Sequence, residues 1–106
     1  RKRWAELDYE RGKLGMPTGP EIWSGKGWYQ SYEKGFIIGT GRTGYWESMG
    51  EIRKRWAELD YERGKLGMPT DGIKTNEDGL ESQDFEGGYI SNKSEEFVEY
   101  ITKNSL

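Results

Sequence analysis

The sequence predicts an α+β fold built from tandem repeats, each a short helix followed by a β-hairpin. The segment RKRWAELDYERGKLGMPT at residues 1–18 returns unchanged at 53–70. A weaker similarity follows each copy, because QSYEKGFI at 30–37 is similar to QDFEGGYI at 83–90. The 106 residues also include five Trp and seven Tyr, large side chains that can supply most of the buried area of a thin core.

The identical segments set the organisation of the chain, since internal repeats determine how every other motif is interpreted. We treat residues 1–106 as a single module, with unit one at 1–52, unit two at 53–90 and a C-terminal capping helix at 91–106. A helix and two strands bury little apolar surface alone, so we expect neighbouring units to cover one another.

Each copy begins with an amphipathic helix. In the second unit Ile52 and Trp56 fall on one stripe of a helix with 3.6 residues per turn, and Trp4 has the place of Trp56 in the first unit. We predict that the first helix runs from Arg1 to about Arg11. Both tryptophans are assigned to the core.

Sequence signals also predict where the later helices begin and end. Ser48 and Glu51 form an S-x-x-E capping box before the second helix, and Gly64 is placed to end that helix in a left-handed conformation. SEEFVEYITK at residues 94–103 predicts the capping helix, because Ser94 can cap the first turn and acidic residues follow it.

Aromatic and β-branched residues between the helices predict strands. WYQSY and GFIIG, between residues 28 and 39, predict a hairpin. DFEGGYI at 84–90 predicts its counterpart in the second unit.

Gly39, Gly41 and Gly44 have the G-x-G-x-x-G spacing of a dinucleotide-binding turn. Such a turn requires a helix that begins within the motif, so that its N-terminus meets the pyrophosphate. The helix predicted here begins later, and the chain is too short for a doubly wound sheet. We therefore interpret these glycines as allowing the chain to turn between hairpin and helix.

The composition argues against several functional classes. The absence of Cys and His removes thiolate zinc sites and the usual base-assisted nucleophiles. A net charge of −3 supplies no basic stripe for nucleic acid, and no apolar run approaches the roughly 20 residues of a membrane helix. Paired carboxylates are open to a glycosidase, but 19 acidic residues make accidental pairs certain. We expect no enzyme, metal, cofactor, nucleic-acid partner or membrane insertion.

Aromatic residues between the two copies are the candidates for carbohydrate binding: Trp23, Trp28, Tyr29, Tyr45 and Trp46. The second unit has Thr75 in the place of Trp23 and polar residues near the places of Trp28 and Tyr29. Repeats that keep a scaffold and vary exposed residues bind ligands at the varied positions. The C–H faces of sugars stack on aromatic rings, and polar residues are available for their hydroxyls: Glu21, Lys26, Gln30 and Arg42. Alternatively, these rings pack the joint between the units.

Four motifs together resemble the LGFP repeat family: WAEL at 4–7, GKLGMPT at 12–18, QSYEKGFI at 30–37 and TGYWESMGEI at 43–52. The resemblance covers nearly all of residues 1–90. It implies a non-catalytic, extracellular module of the actinobacterial type that holds an attached protein on cell-wall polysaccharide.

A second interpretation is a structural or protein-binding repeat without glycan binding: a spacer, an adhesin segment or an engineered consensus repeat. Exposed repeat ends also predict self-association in either case.

Overall fold

The computed structural model describes residues 2–92 and 98–102, with side chains for residues 2–91. Short helices and antiparallel strands confirm the α+β class. The elements, in chain order, are α1 (Lys2–Glu6), a 3₁₀ turn (Tyr9–Arg11), β1 (Ile22–Trp23), β2 (Trp28–Tyr32), β3 (Gly35–Thr40), β4 (Gly44–Met49), α2 (Gly50–Glu58), a second 3₁₀ turn (Tyr61–Arg63), β5 (Lys74–Thr75), β6 (Glu81–Phe85), β7 (Gly88–Asn92) and β8 (Val98–Thr102).

The strands form two four-stranded antiparallel sheets with the same order. Sheet A is β1-β2-β3-β4 and sheet B is β5-β6-β7-β8. The predicted hairpins are confirmed as β2–β3 and β6–β7. One further strand pairs with each side of each hairpin, so both sheets have four strands where the sequence predicted two.

One face of sheet A packs against the first helix. Tyr32 and Ile37 lie on this face and are buried together with Leu14. Trp4 and Leu7 pack against them from the chain segment that begins with α1. Trp4 is half-buried, so its assignment to the core holds only in part.

The opposite face of sheet A packs against α2. Trp56 is fully buried and contacts the ring of Phe36 in sheet A, with 6.2 Å between ring centroids. It also contacts Phe85 of sheet B at 5.3 Å, and Ile38 and Ile90 of the two sheets belong to the same buried cluster. The layers therefore follow the order α1, sheet A, α2, sheet B.

The two identical segments have the same backbone. The helix in each is followed by an aspartate with φ 70°, Asp8 in the first and Asp60 in the second. The indole N–H of Trp4 and that of Trp56 each donate to the carbonyl of the glycine eleven residues later, at 3.0 and 3.2 Å. The first helix is shorter than the predicted span from Arg1 to about Arg11. It ends at Glu6, and a 3₁₀ turn follows at Tyr9–Arg11. Arg1 lies outside the described residues.

Both end signals predicted for the second helix are wrong. Ser48 lies buried in β4, because the pairing of β4 with β3 continues to Met49. Met49 precedes the helix in an extended conformation and makes no side-chain cap. Gly64 is extended with φ −86°, and the residues with positive φ after the helix are Asp60 and Tyr61. Glycine is still required at position 64, because a β-carbon there would clash with the carbonyl oxygen of Leu59.

The predicted capping helix at 94–103 is wrong over residues 98–102. These residues form β8, which pairs with β7, while Ser94 lies outside the described residues. Val98, Tyr100 and Ile101 are residue types that favour strands. Without β8, the edge of β7 would present unpaired backbone groups.

The three spaced glycines lie within sheet A. Gly39 is in β3, Gly41 is in the turn, and Gly44 begins β4 with φ 81°. The turn therefore joins two strands of one sheet, which corrects the interpretation that it joins hairpin to helix. A positive φ is the conformation that glycine adopts at little cost.

Candidate functional site

Aromatic side chains form a row across one end of sheet A. The register pairs Trp23 with Trp28, Trp28 with Gly39, and Gly39 with Tyr45. Residues paired directly across neighbouring strands lie on the same face of a sheet. Trp23, Trp28 and Tyr45 are 54%, 44% and 39% exposed. We call these three residues the aromatic row.

The spacing within the aromatic row is uneven. Trp23 and Trp28 are in contact, with ring centroids 5.5 Å apart and ring planes tilted by 60°. Trp28 and Tyr45 are separated by the strand that carries Gly39, hence by two strand spacings, roughly 9.5 Å between backbones. Glycine is required at position 39, because a β-carbon there would clash with the backbone carbonyl of Gly44. Trp28 and Tyr45 border a common space.

This space is a shallow depression with a volume of about 20 Å³. Trp28 and Tyr45 line it together with Ile37 and two polar residues, Glu21 and Gln30. Pockets that enclose small molecules have volumes of roughly 300–1,000 Å³. A ligand at this site must therefore lie on the surface and stack on the rings.

Of the other two aromatic residues predicted for the site, Tyr29 also lines the depression, but the rings of both make structural contacts outside the row. Tyr29 is half-buried on the opposite face of the sheet, with its ring centroid 6.2 Å from that of Phe36. Trp46 is half-buried and its indole N–H donates to the carbonyl of Thr43 at 2.7 Å. The guanidinium of Arg3 lies 5.1 Å from the centroid of the Trp46 ring.

Of the four polar residues expected near the rings, Glu21 and Gln30 border the depression. Gln30 also donates its side-chain N–H to a backbone carbonyl at 2.9 Å. Arg42 forms an ion pair with Glu86 of the second unit at 2.6 Å. Lys26 lines a separate groove together with Arg42.

A larger groove borders the aromatic row at the edge of the sheet. Its volume is about 500 Å³, and it lies between sheet A and the second 3₁₀ turn. Trp23 lines the groove together with Tyr29, Phe36 and Arg53. Trp23 thus belongs both to the row and to the rim of the joint between the two units.

Glu47 is a buried carboxylate that the sequence analysis missed. Its Oε1 accepts a hydrogen bond from Nε of Arg3 at 2.7 Å, and its Oε2 accepts one from Nη2 of Arg3 at 3.1 Å and one from the backbone N–H of Ile73 at 2.9 Å. Nζ of Lys13 lies 3.4 Å from Oε2. Glu47 therefore joins the first helix, sheet A and the loop before sheet B.

The environment of Glu47 keeps it ionised. Burial acts to raise the pKa of Glu47, but the hydrogen bonds from Arg3 and from the Ile73 amide bring it below its ordinary value. The hydrogen bond to Glu47 in turn raises the pKa of Arg3. A carboxylate with this many donors is a structural ion pair. The sequence carried no signal for it, because the burial of Glu47 follows from the register that pairs it with Ile37.

The described part of the chain, residues 2–92 and 98–102, offers neither a metal site nor a membrane-spanning helix. No group of three or more acidic side chains in this part of the chain is arranged to hold a metal ion. Its helices are all too short or too polar to cross a membrane.

Comparison with protein families relates the chain to a known repeat. The model of the LGFP repeat matches residues 14–64, which contain the L-G-M-P turn, sheet A, α2 and the second 3₁₀ turn. The family's repeat therefore begins inside the first 18-residue copy and ends inside the second. No curated protein matches the chain.

Proposed function

From the match of residues 14–64 to the LGFP repeat model, we propose that the chain is a two-unit tandem module that binds cell-wall polysaccharide. The module acts outside the cell and holds an attached protein at the cell envelope. Binding is non-catalytic and uses the aromatic row.

The observation that carries this proposal is the exposure of the aromatic row. Apolar surface left in water costs about 25 cal/mol for each Å², and contiguous exposed apolar patches mark interaction sites. The shallow depression lined by Trp28 and Tyr45 gives a stacked sugar ring two aromatic neighbours. Glu21 and Gln30 lie at the same depression, where they can bind the hydroxyls of a sugar stacked on the rings.

Sheet B provides an internal comparison that favours binding over packing. The pair Trp23–Trp28 of sheet A corresponds to the pair Thr75–Glu81 of sheet B, which has the same place in the register. The core is retained, since Ile90 of sheet B is fully buried. A sheet of this kind therefore folds without the rings, and their presence in sheet A needs another explanation.

The carboxylates near the row support a non-catalytic role. Glycoside hydrolysis uses two carboxyl groups on either side of the scissile bond. Among the described residues that line the depression, Glu21 is the one carboxylate. Glu47 is enclosed by its donors and has no exposed surface.

Binding to purified, protein-free cell-wall polysaccharide tests the proposal. We expect Trp28→Ala and Tyr45→Ala to weaken binding by roughly five- to tenfold each, since an aromatic stacking contact contributes about 1 kcal/mol. Tyr89→Ala is the matched control, because Tyr89 is an exposed aromatic residue of sheet B outside the row. Thermal melts by circular dichroism establish that each variant is folded.

Unchanged affinity in folded Trp28→Ala and Tyr45→Ala variants would overturn the proposal. Unfolding of both variants would instead assign the rings to packing. The alternative, a protein-binding repeat, predicts that the chain binds intact walls and still binds them after enzymatic removal of the glycans.

A further inference from the structure

The two identical 18-residue segments are covered to different extents. Trp56 is fully buried, whereas its counterpart Trp4 is half-buried. Tyr61 is half-buried, whereas its counterpart Tyr9 is 51% exposed. Because the sequences are the same, the difference arises from their neighbours.

Sheet A covers the second segment with three apolar side chains. The ring centroid of Phe36 lies 6.2 Å from that of Trp56 and 6.1 Å from that of Tyr61. Tyr29 and Ile38 are on the same face of the sheet and belong to the same cluster. We call Tyr29, Phe36 and Ile38 the covering face.

The first segment presents the same shape to its surroundings. The backbone after each helix is the same, with φ 53° at both Tyr9 and Tyr61. The ring of Trp4 meets that of Tyr9 at 5.2 Å and 82°, and the ring of Trp56 meets that of Tyr61 at 5.3 Å and 81°. The outward side of Trp4, Leu7 and Tyr9 is thus a copy of the surface that sheet A covers; we call it the first-copy face.

We infer that the first-copy face is a docking surface for the sheet of another LGFP repeat, one that carries aromatic and aliphatic side chains at the positions of Tyr29, Phe36 and Ile38. The chain itself contains this contact once, between sheet A and the second segment. This surface binds protein and is separate from the aromatic row.

The opposite end of the module does not fit this surface. The positions of Tyr29, Phe36 and Ile38 are occupied in sheet B by Ser82, Tyr89 and Ser91, since Ser82 pairs with Ser91 as Tyr29 pairs with Ile38. Two of the three apolar side chains are therefore replaced by serine. Sheet B therefore lacks the covering face that sheet A has, so stacking of repeats through this contact has a direction.

Restoring the covering face on sheet B tests the inference. We expect the full chain with Ser82→Tyr, Tyr89→Phe and Ser91→Ile to form concentration-dependent head-to-tail oligomers in sedimentation velocity, while the unaltered chain stays monomeric at the same concentrations. Adding Tyr9→Glu to the triple variant should return it to a monomer, because the charge is placed in the new contact. Tyr61→Phe, added to the triple variant in the same way, is the matched control. It alters the same position in the second segment while keeping the ring, so it should leave assembly unchanged.

A folded triple variant that stays monomeric would overturn the inference, and so would assembly that is unaffected by Tyr9→Glu. If the triple variant fails to fold, Ser91→Ile with Tyr9→Cys and Tyr89→Cys provides the second test. The native chain has no cysteine, so oxidation should give a ladder of disulfide-linked species. Monomer alone after oxidation of this variant would contradict the docking surface.

Discussion

Replacing Glu47 by glutamine keeps the shape of the side chain and removes its charge. The new amide has one oxygen, whereas both oxygens of Glu47 accept hydrogen bonds from Arg3 or Ile73. One of these donors is therefore left facing an N–H group. Removing one partner of a buried ion pair costs about 3–5 kcal/mol. Because the side chain of Arg3 is 19% exposed, water compensates part of this cost, and we expect a loss of about 2–3 kcal/mol.

This loss is large for a domain with a total stability of about 5–15 kcal/mol. Each kcal/mol changes the Tm of a domain of this size by about 4–8 °C, so the Tm of Glu47→Gln should fall by roughly 10–20 °C. Thermal melts followed by tryptophan fluorescence and circular dichroism measure the change.

A double-mutant cycle with Arg3→Met identifies the cause. If the guanidinium is left unpaired by Glu47→Gln, removing it as well should recover part of the lost stability, so the double variant is more stable than the sum of the single losses predicts. The role assigned to this ion pair would be refuted if the Tm of Glu47→Gln fell by less than about 4 °C. It would also be refuted if the stability losses of the two single variants were additive in the double variant.

Three further predictions concern the core. Since the pKa of Glu47 lies below its ordinary value of 4.5, its stabilising effect is complete above about pH 5 and is lost as the pH falls through 4.5 towards the folded-state pKa. The difference in Tm between the native chain and Glu47→Gln should therefore become smaller in acid. A constant difference from pH 7 to pH 3 would contradict this. The side-chain oxygen of Gln83 is buried without a hydrogen-bond partner, whereas that of Gln30, its counterpart in sheet A, accepts a hydrogen bond from the hydroxyl of Tyr32 at 3.2 Å. Phe85→Tyr should supply the missing hydroxyl and raise the free energy of unfolding by about 0.5–1.5 kcal/mol in urea titrations. Destabilisation would show that the hydroxyl has no room. Trp56→Ala should cost about 3–5 kcal/mol and Trp4→Ala about half of that, measured in the same titrations; equal losses would contradict the difference in burial between the two copies.

Local patterns were sufficient to predict the elements that depend on neighbours in the sequence. The period-3.6 stripe placed Trp56 in the core, and the strand-forming residues on either side of each turn predicted β2–β3 and β6–β7. The sequence identified Trp28 as a candidate for exposure, because the second unit has a polar residue in its place, but it left packing of the joint open as the alternative. These features need no information about how the layers meet.

The errors arose where pairing between distant residues overrides a local signal. Ser48 has the spacing of a helix cap, yet pairing of β4 with β3 places it in a strand. The segment SEEFVEYITK has acidic residues suited to a helix start, yet residues 98–102 pair with β7. Glu47 could not be distinguished from other acidic residues, because its partners Arg3 and Ile73 are 44 and 26 residues away.

The layered arrangement explains why the aromatic row can vary without loss of the fold. The segment that begins with α1 covers one end of its face of sheet A, around Tyr32 and Ile37, and the row lies at the other end of the same face. Changes in the row therefore leave the helix–sheet contact intact, whereas changes at the covering face disrupt the joint between the layers. Trp28 and Tyr45 of the proposed ligand site are separate from Phe36 and Ile38, which form the contact between the layers. Substitution of Trp28 or Tyr45 should therefore remove the proposed binding while the joint is retained, whereas Trp23 borders both.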